Sequence, residues 1–259
     1  MNDLSTCPKC GFPLARPVPA ECGRCGVIFA KYWQRQAQPR EPAATPEAEE
    51  TNAGGSLREL FFAIPGRQTP ILLWSRAALL AALAVWGGRL VFAGLASNAA
   101  GESLLHLINL PFHEAGHVLF RPFGAFVTSL GGTLGQLLIP LICLLVLLFR
   151  SRDPFGAAIC LWWLGENFLD IAPYINDARA GELPLLGGNF GHSSPYGFHD
   201  WEFILTETGL LRYDHLLAAA SHRFGALLMV AAMVWGGLIL YRQFRPCQEH
   251  PRINGTHET

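Results

Sequence analysis

Apolar side chains run almost unbroken through five stretches of the chain, at roughly 72–97, 102–120, 124–149, 154–175 and 215–241. The breaks "SNAAGE", "RPFG" and "RSRDP" separate the first four, and a long loop over 176–214 precedes the last. A helix needs about 20 mainly apolar residues to cross a bilayer. The pattern therefore predicts an all-α polytopic membrane protein with about five, or six, membrane segments. One segment, beginning "AFVTSLGGTLGQLLIP", is expected to be re-entrant, because Thr133 and Gln136 add polarity where lipid penalises it. Gly131 and Gly135, in small-x-x-x-small spacing, also suit plain close helix packing.

Polar residues collect at the ends. The expected organisation is a small ribbon at 1–33, a disordered linker at 34–56, a juxtamembrane segment at 57–70, a multi-span domain at 71–245 and a flexible tail at 246–259. The linker is rich in Pro, Ala, Glu and Gln without an apolar period. After it, "LRELFFAIPGRQTP" reads equally as a linker end or as an interfacial helix, with Phe61 and Phe62 in lipid and Arg58 and Arg67 in water.

Composition supports this division. Of the 259 residues 51% are hydrophobic and 15% charged, an apolar excess over ordinary soluble domains. The net charge of −1 gives no ground for nucleic-acid binding by bulk electrostatics. The N-terminus "MNDLSTCPKC" has no secretory apolar core.

The ribbon carries the first chemical signature. Cys7, Cys10, Cys22 and Cys25 form two C-x-x-C pairs, each followed by Gly. Two such pairs complete a tetrahedron of soft ligands, which favours one structural Zn²⁺. A redox dithiol would not need the second pair. Reduced thiolates place this head on the cytosolic side, and a domain so small relies on the ion to stay folded. Cys143, Cys160 and Cys247 read as ordinary apolar or tail residues.

The second signature lies inside an apolar run. His113-Glu114-Ala115-Gly116-His117 fits H-E-x-x-H. On a helix, positions i and i+4 share a face, so both imidazoles can hold one zinc ion while Glu114 takes a proton from a water. Near mid-bilayer a charged residue costs about 2.5–3.5 kcal/mol, so such residues are expected to face a protein interior or a wet cavity. A packing or proton-relay His pair is the alternative without metal.

"FHEAGHVLF" on an apolar helix resembles the site-2 protease family of intramembrane zinc metalloproteases. The likeness covers roughly 102–178. It implies His113 and His117 as ligands, Glu114 as general base, and an Asp on a later helix as third ligand. The later family motif has a loose counterpart in "GENFLDIAPYINDAR". If each span crosses once, Asp170 and His117 lie about 6–8 Å below the same surface. Asp170 is therefore the favoured ligand, with Asp177 in reserve. Glu166, one turn before Asp170, suits a hydrogen bond to a ligand. Asn167 suits a substrate carbonyl or the catalytic water. Polar helix packing is the plainer role for all three.

The long loop begins on the same face and holds His192, His199, Asp200 and His215. His199-Asp200 is its sharpest candidate for a lid or an extra ligand, against a merely solvated loop.

The expected protein is thus a membrane zinc metallopeptidase with one catalytic and one structural Zn²⁺, a transmembrane protein substrate, lipid around it and a protein partner for the ribbon. The alternatives are a non-catalytic membrane scaffold and a metal transporter with a His-rich loop. An odd number of crossings puts the active face, with Arg121, Arg179 and Arg212, in the cytosol. Arg150, Arg152, Arg242 and Arg245 then fall outside, against the positive-inside tendency.

Overall fold

The computed structural model describes residues 5–14, 19–37, 57–63 and 69–248. The chain divides into two compact units, Met1–Gly54 and Gly55–Thr259.

In the first unit each C-x-x-C-G segment folds into the same knuckle. The Cys7 N–H donates to the Phe12 carbonyl at 2.8 Å and the Gly11 N–H to the Cys7 carbonyl at 2.9 Å. The second knuckle repeats this from Cys22 to Val27 at 3.0 Å and from Gly26 to Cys22 at 2.8 Å. Isolated bridges, Thr6 with Pro13 and Glu21 with Ile28, close the two turns. Gly11 and Gly26 sit at φ 71° and 67°, a left-handed turn that a side chain would strain. Helix α1 (Phe29–Ala37) follows, and Phe29 packs with Cys7 and Cys22 into the small core. Positions 34–37 of the expected linker are therefore helical. The rest of that linker, Arg67 and the tail from 249 lie outside the described residues.

Among its described residues the regular structure of the second unit is all helical, with one isolated bridge between Pro184 and Phe190. Its elements are α2 (Leu57–Phe62), α3 (Pro70–Ala93), α4 (Leu104–Phe120), α5 (Ala125–Leu145), α6 (Pro154–Asn176), α7 (Asp200–Glu207) and α8 (Asp214–Gln248). Local signals set several starts. Thr69 caps α3 ahead of Pro70, Ser103 caps α4 through the His106 N–H, and Pro154 opens α6. Helix α5 runs unbroken through "GGTLGQ" and ends in a π turn, Val146–Arg150, so the expected re-entrant dip is absent. Its glycines serve close packing instead: the Gly131 carbonyl lies where a side chain on Gly116 of α4 would stand.

Among the described residues, three helical segments are long and apolar enough to cross a membrane: Pro70–Ala93, Ala125–Arg150 and Leu211–Phe244. This is fewer than the five or six segments expected. Helix α4 has only 17 residues and contains Pro111, and α6 carries Glu166, Asn167 and Asp170. Helix α6 is instead the hub of the unit. It packs along α5 and α8 and buries Trp162 and Leu169 against Leu83, Met229 and Ala232. Large apolar side chains face outward on the three candidate spans, including Phe92, Ile142 and Val230, as lipid contact requires. Phe61 of α2 packs on Trp235 of α8, whose indole N–H donates to the Phe61 carbonyl at 2.9 Å. The Arg242 guanidinium covers the Phe62 ring. The short helix is thus held against α8.

Candidate metal centres

Four sulfurs meet in the first unit. Cys7 Sγ lies 3.8 Å from Cys25 Sγ, and Cys10 Sγ lies 3.8 Å from Cys22 Sγ. A tetrahedron of thiolates with metal–sulfur bonds of about 2.3 Å has edges of about 3.8 Å. All four cysteines are free. The Cys25 backbone N–H aimed at Cys22 pulls that thiol down, while burial and the neighbouring thiols push Cys10 up. The cluster can hold one metal ion.

The second unit brings His113, His117 and Asp200 together, with one ligand atom from each within 4.8 Å of the others. Both imidazole Nε2 atoms lie 3.2 Å from Asp200 Oδ2. Bonds of about 2.0–2.1 Å to one tetrahedral ion would set such atoms about 3.3–3.4 Å apart. Asp200, read from the sequence as a lid residue or extra ligand, therefore completes the set. Burial by itself would raise its carboxyl, but the two imidazoles hold it below the ordinary carboxylate range, so it is anionic.

The hydrogen bonds behind the imidazoles fix their tautomers. His117 Nδ1 faces the Thr128 carbonyl at 2.8 Å, which can only accept, so Nδ1 carries the hydrogen. For His113 the logic runs through two amides. Asn167 Nδ2 donates to the Trp163 carbonyl at 3.0 Å, which leaves Asn167 Oδ1 to accept from Gln136 Nε2 at 3.2 Å. Gln136 Oε1 then accepts from His113 Nδ1 at 2.8 Å. In their neutral forms both imidazoles therefore turn an unprotonated Nε2 toward a carboxylate. In that state three acceptors converge, the arrangement a cation satisfies, whereas a hydrogen on Nε2 would bridge to Asp200 instead.

Gly132 makes room for this. A methyl group there would lie 2.5 Å from His113 Nε2 and 2.6 Å from His117 Nε2. Gly132→Ala is expected to displace an imidazole and to strip one of two metal equivalents from the purified chain. Gly88→Ala, which meets open space, should keep both. Metal analysis reads the difference.

The other expected site residues take different partners, although Asp170 and His199 line the same cavity as the triad. Asp170, the favoured third ligand, is 2% exposed and accepts from His106 Nδ1 at 2.9 Å, Asn109 Nδ2 at 3.1 Å and Gln136 Nε2 at 3.5 Å. Asp177, the reserve, accepts the Glu182 and Leu183 N–H groups at 2.9 Å each. Neither belongs to the convergent set. Asn167 is fully buried in the amide relay between Trp163 and Gln136. Glu166 accepts from Asn109 at 3.0 Å rather than from a candidate ligand. His199 caps α7, accepting the Glu202 N–H at 3.1 Å, and its Nε2 stands 3.5 Å from Asp177. The cap at His199 starts α7 and so sets the position of Asp200, its first residue. His192 and His215 are taken up by the Gly181 carbonyl and the Asn176 side chain.

A cavity of about 530 Å³ adjoins the triad, and Glu114 lines it beside His113 and His117. His106, Leu110, His113 and His117 form one stripe of α4 along it. His106 and Asn109 were overlooked in the sequence, although both recur at helical spacing with His113. Comparison with family models, curated proteins and solved structures finds no match.

Proposed function

We propose that this chain is a membrane-embedded zinc metallopeptidase, akin to site-2 proteases, that hydrolyses peptide bonds in or near the bilayer. The observation that carries the reading is the convergence of two Nε2 lone pairs and the Asp200 carboxylate at 3.2 Å, beside Glu114 in one cavity.

His113, His117 and Asp200 hold Zn²⁺, and a second zinc sits on Cys7, Cys10, Cys22 and Cys25. Zinc at the first site supplies Lewis acidity for a carbonyl and lowers the pKa of a water. Glu114 removes a proton from the attacking water and returns it to the leaving nitrogen. Gln136 and the Thr128 carbonyl hold the imidazoles in their ligating tautomers. Glu114 and Asp200 together balance a divalent charge, so the loaded site is close to neutral in a medium that penalises net charge.

The cavity lies near the start of the Ala125–Arg150 segment. Gly132 is seven residues from that start, about 10 Å along the helix. Water thus reaches the site from one membrane surface. The ribbon belongs on the cytosolic side and serves as a docking or regulatory module.

The purified wild type should contain two zinc ions. His113→Ala and Cys22→Ser should each contain one, and the double variant none. One ion in both wild type and His113→Ala would end the reading.

A further inference from the structure

The loop between α6 and α7 is built the opposite way from a water-facing loop. From Leu183 to His199 it contains no Asp, Glu, Lys or Arg. Several of its polar contacts are made within the chain, although Asn189, His192 and Ser193 are themselves exposed. His192 Nδ1 donates to the Gly181 carbonyl at 2.7 Å, the Tyr174 hydroxyl donates to the Pro184 carbonyl at 3.2 Å, and the Leu185 N–H donates to the Asn189 carbonyl at 2.7 Å. Its large apolar side chains point outward: Leu186 is 67% exposed, Phe198 63%, Tyr196 55% and Phe190 41%. Ordering a strap with its backbone bonds satisfied and its apolar groups bare is unfavourable in water. It is favourable at the boundary of headgroups and acyl chains, where aromatic and aliphatic side chains reach about 5–10 Å into the layer.

The position agrees. The strap leaves the C-terminal end of α6 and reaches α7, just before the segment Leu211–Phe244 begins. Helices α6 and α8 pack antiparallel, with Ser221 Oγ on the Phe168 carbonyl and Gly225 facing Gly165. Helices α5 and α6 are also antiparallel, since Gln136 meets Asn167 while α5 runs on into the turn before α6. The start of α5, the end of α6 and the start of α8 therefore share one end of the unit. The strap lies level with the ends of two candidate spans, where a bilayer surface would be.

Leu186 and Phe198 also line the cavity beside His113, His117 and Asp200. The same side chains thus face both the outside and the cavity. We propose that the 183–199 strap rests in the interfacial layer of the bilayer and forms the doorway to the cavity, so that ligands enter from lipid as apolar, membrane-partitioned chains. This inference needs the membrane and does not depend on which ion the triad holds.

The test uses the full-length chain in phosphatidylcholine nanodiscs. The photo-reactive residue p-benzoylphenylalanine replaces Leu186 or Phe198, with Val230 on a candidate span as lipid-facing reference and Ile28 in the ribbon as water-facing reference. After irradiation, intact mass should show a shift of one phospholipid at 186 and 198, with a yield matching that at 230. Adducts at 230 with only the Ile28 background at 186 and 198 would overturn the doorway. Background at all positions, 230 included, would overturn it together with the membrane assignment, whereas loss of zinc alone would leave the lipid adducts unchanged.

Discussion

Glu114→Gln is expected to keep two zinc ions per chain and to lose hydrolysis by about 10²–10⁴-fold, the usual contribution of a positioned general base. The change is isosteric and removes only the proton-accepting charge. Glu114 lines the cavity but does not belong to the convergent triad, so metal content should hold while turnover falls. A detergent-solubilised chain and a membrane-protein substrate library read by mass spectrometry are sufficient. A scaffold would be indifferent to this substitution in every assay. A transporter would carry metal at an unchanged rate. Glu114→Gln with undiminished turnover would remove the hydrolase mechanism, whatever the metal content.

The second large effect separates two aspartates. Asp200→Ala should abolish ion binding at the triad, because it removes the carboxylate that lies 3.2 Å from both Nε2 atoms. Asp170→Asn should retain the ion, because Asp170 reaches His113 only through Gln136. Gln136→Leu should fall between them. It frees the His113 tautomer, and such outer partners are typically worth about 10–100-fold in metal affinity. Zinc titration against a competing chelator ranks the three. An empty site in Asp170→Asn with a full one in Asp200→Ala would reverse the assignment of the third ligand.

The resemblance drawn from "FHEAGHVLF" implies an Asp on a later apolar helix, and "GENFLD" holds one. In the folded chain Asp170 is held by His106 and Asn109, two polar side chains of α4 that repeat at helical spacing with His113. Burying that carboxylate with several hydrogen-bond donors satisfies it locally, so it has no need of a metal. The third position is instead filled from a short helix after the loop, capped by His199. The linear sequence gives no distance between Asp200 and His117, and only the strap's path brings them to 3.2 Å.

The amino-acid order alone settled whatever depends on spacing along one element. The two C-x-x-C-G turns, the i, i+4 imidazoles and the positions of the long apolar helices follow from local geometry with periods of a few residues. Tertiary structure decided which carboxylate joins the imidazoles and which partners Asn167 takes. Those outcomes depend on how α4, α5 and α6 cross and on where one loop returns. Packing and hydrogen-bond satisfaction fix these across distant parts of the chain, and no local period encodes them.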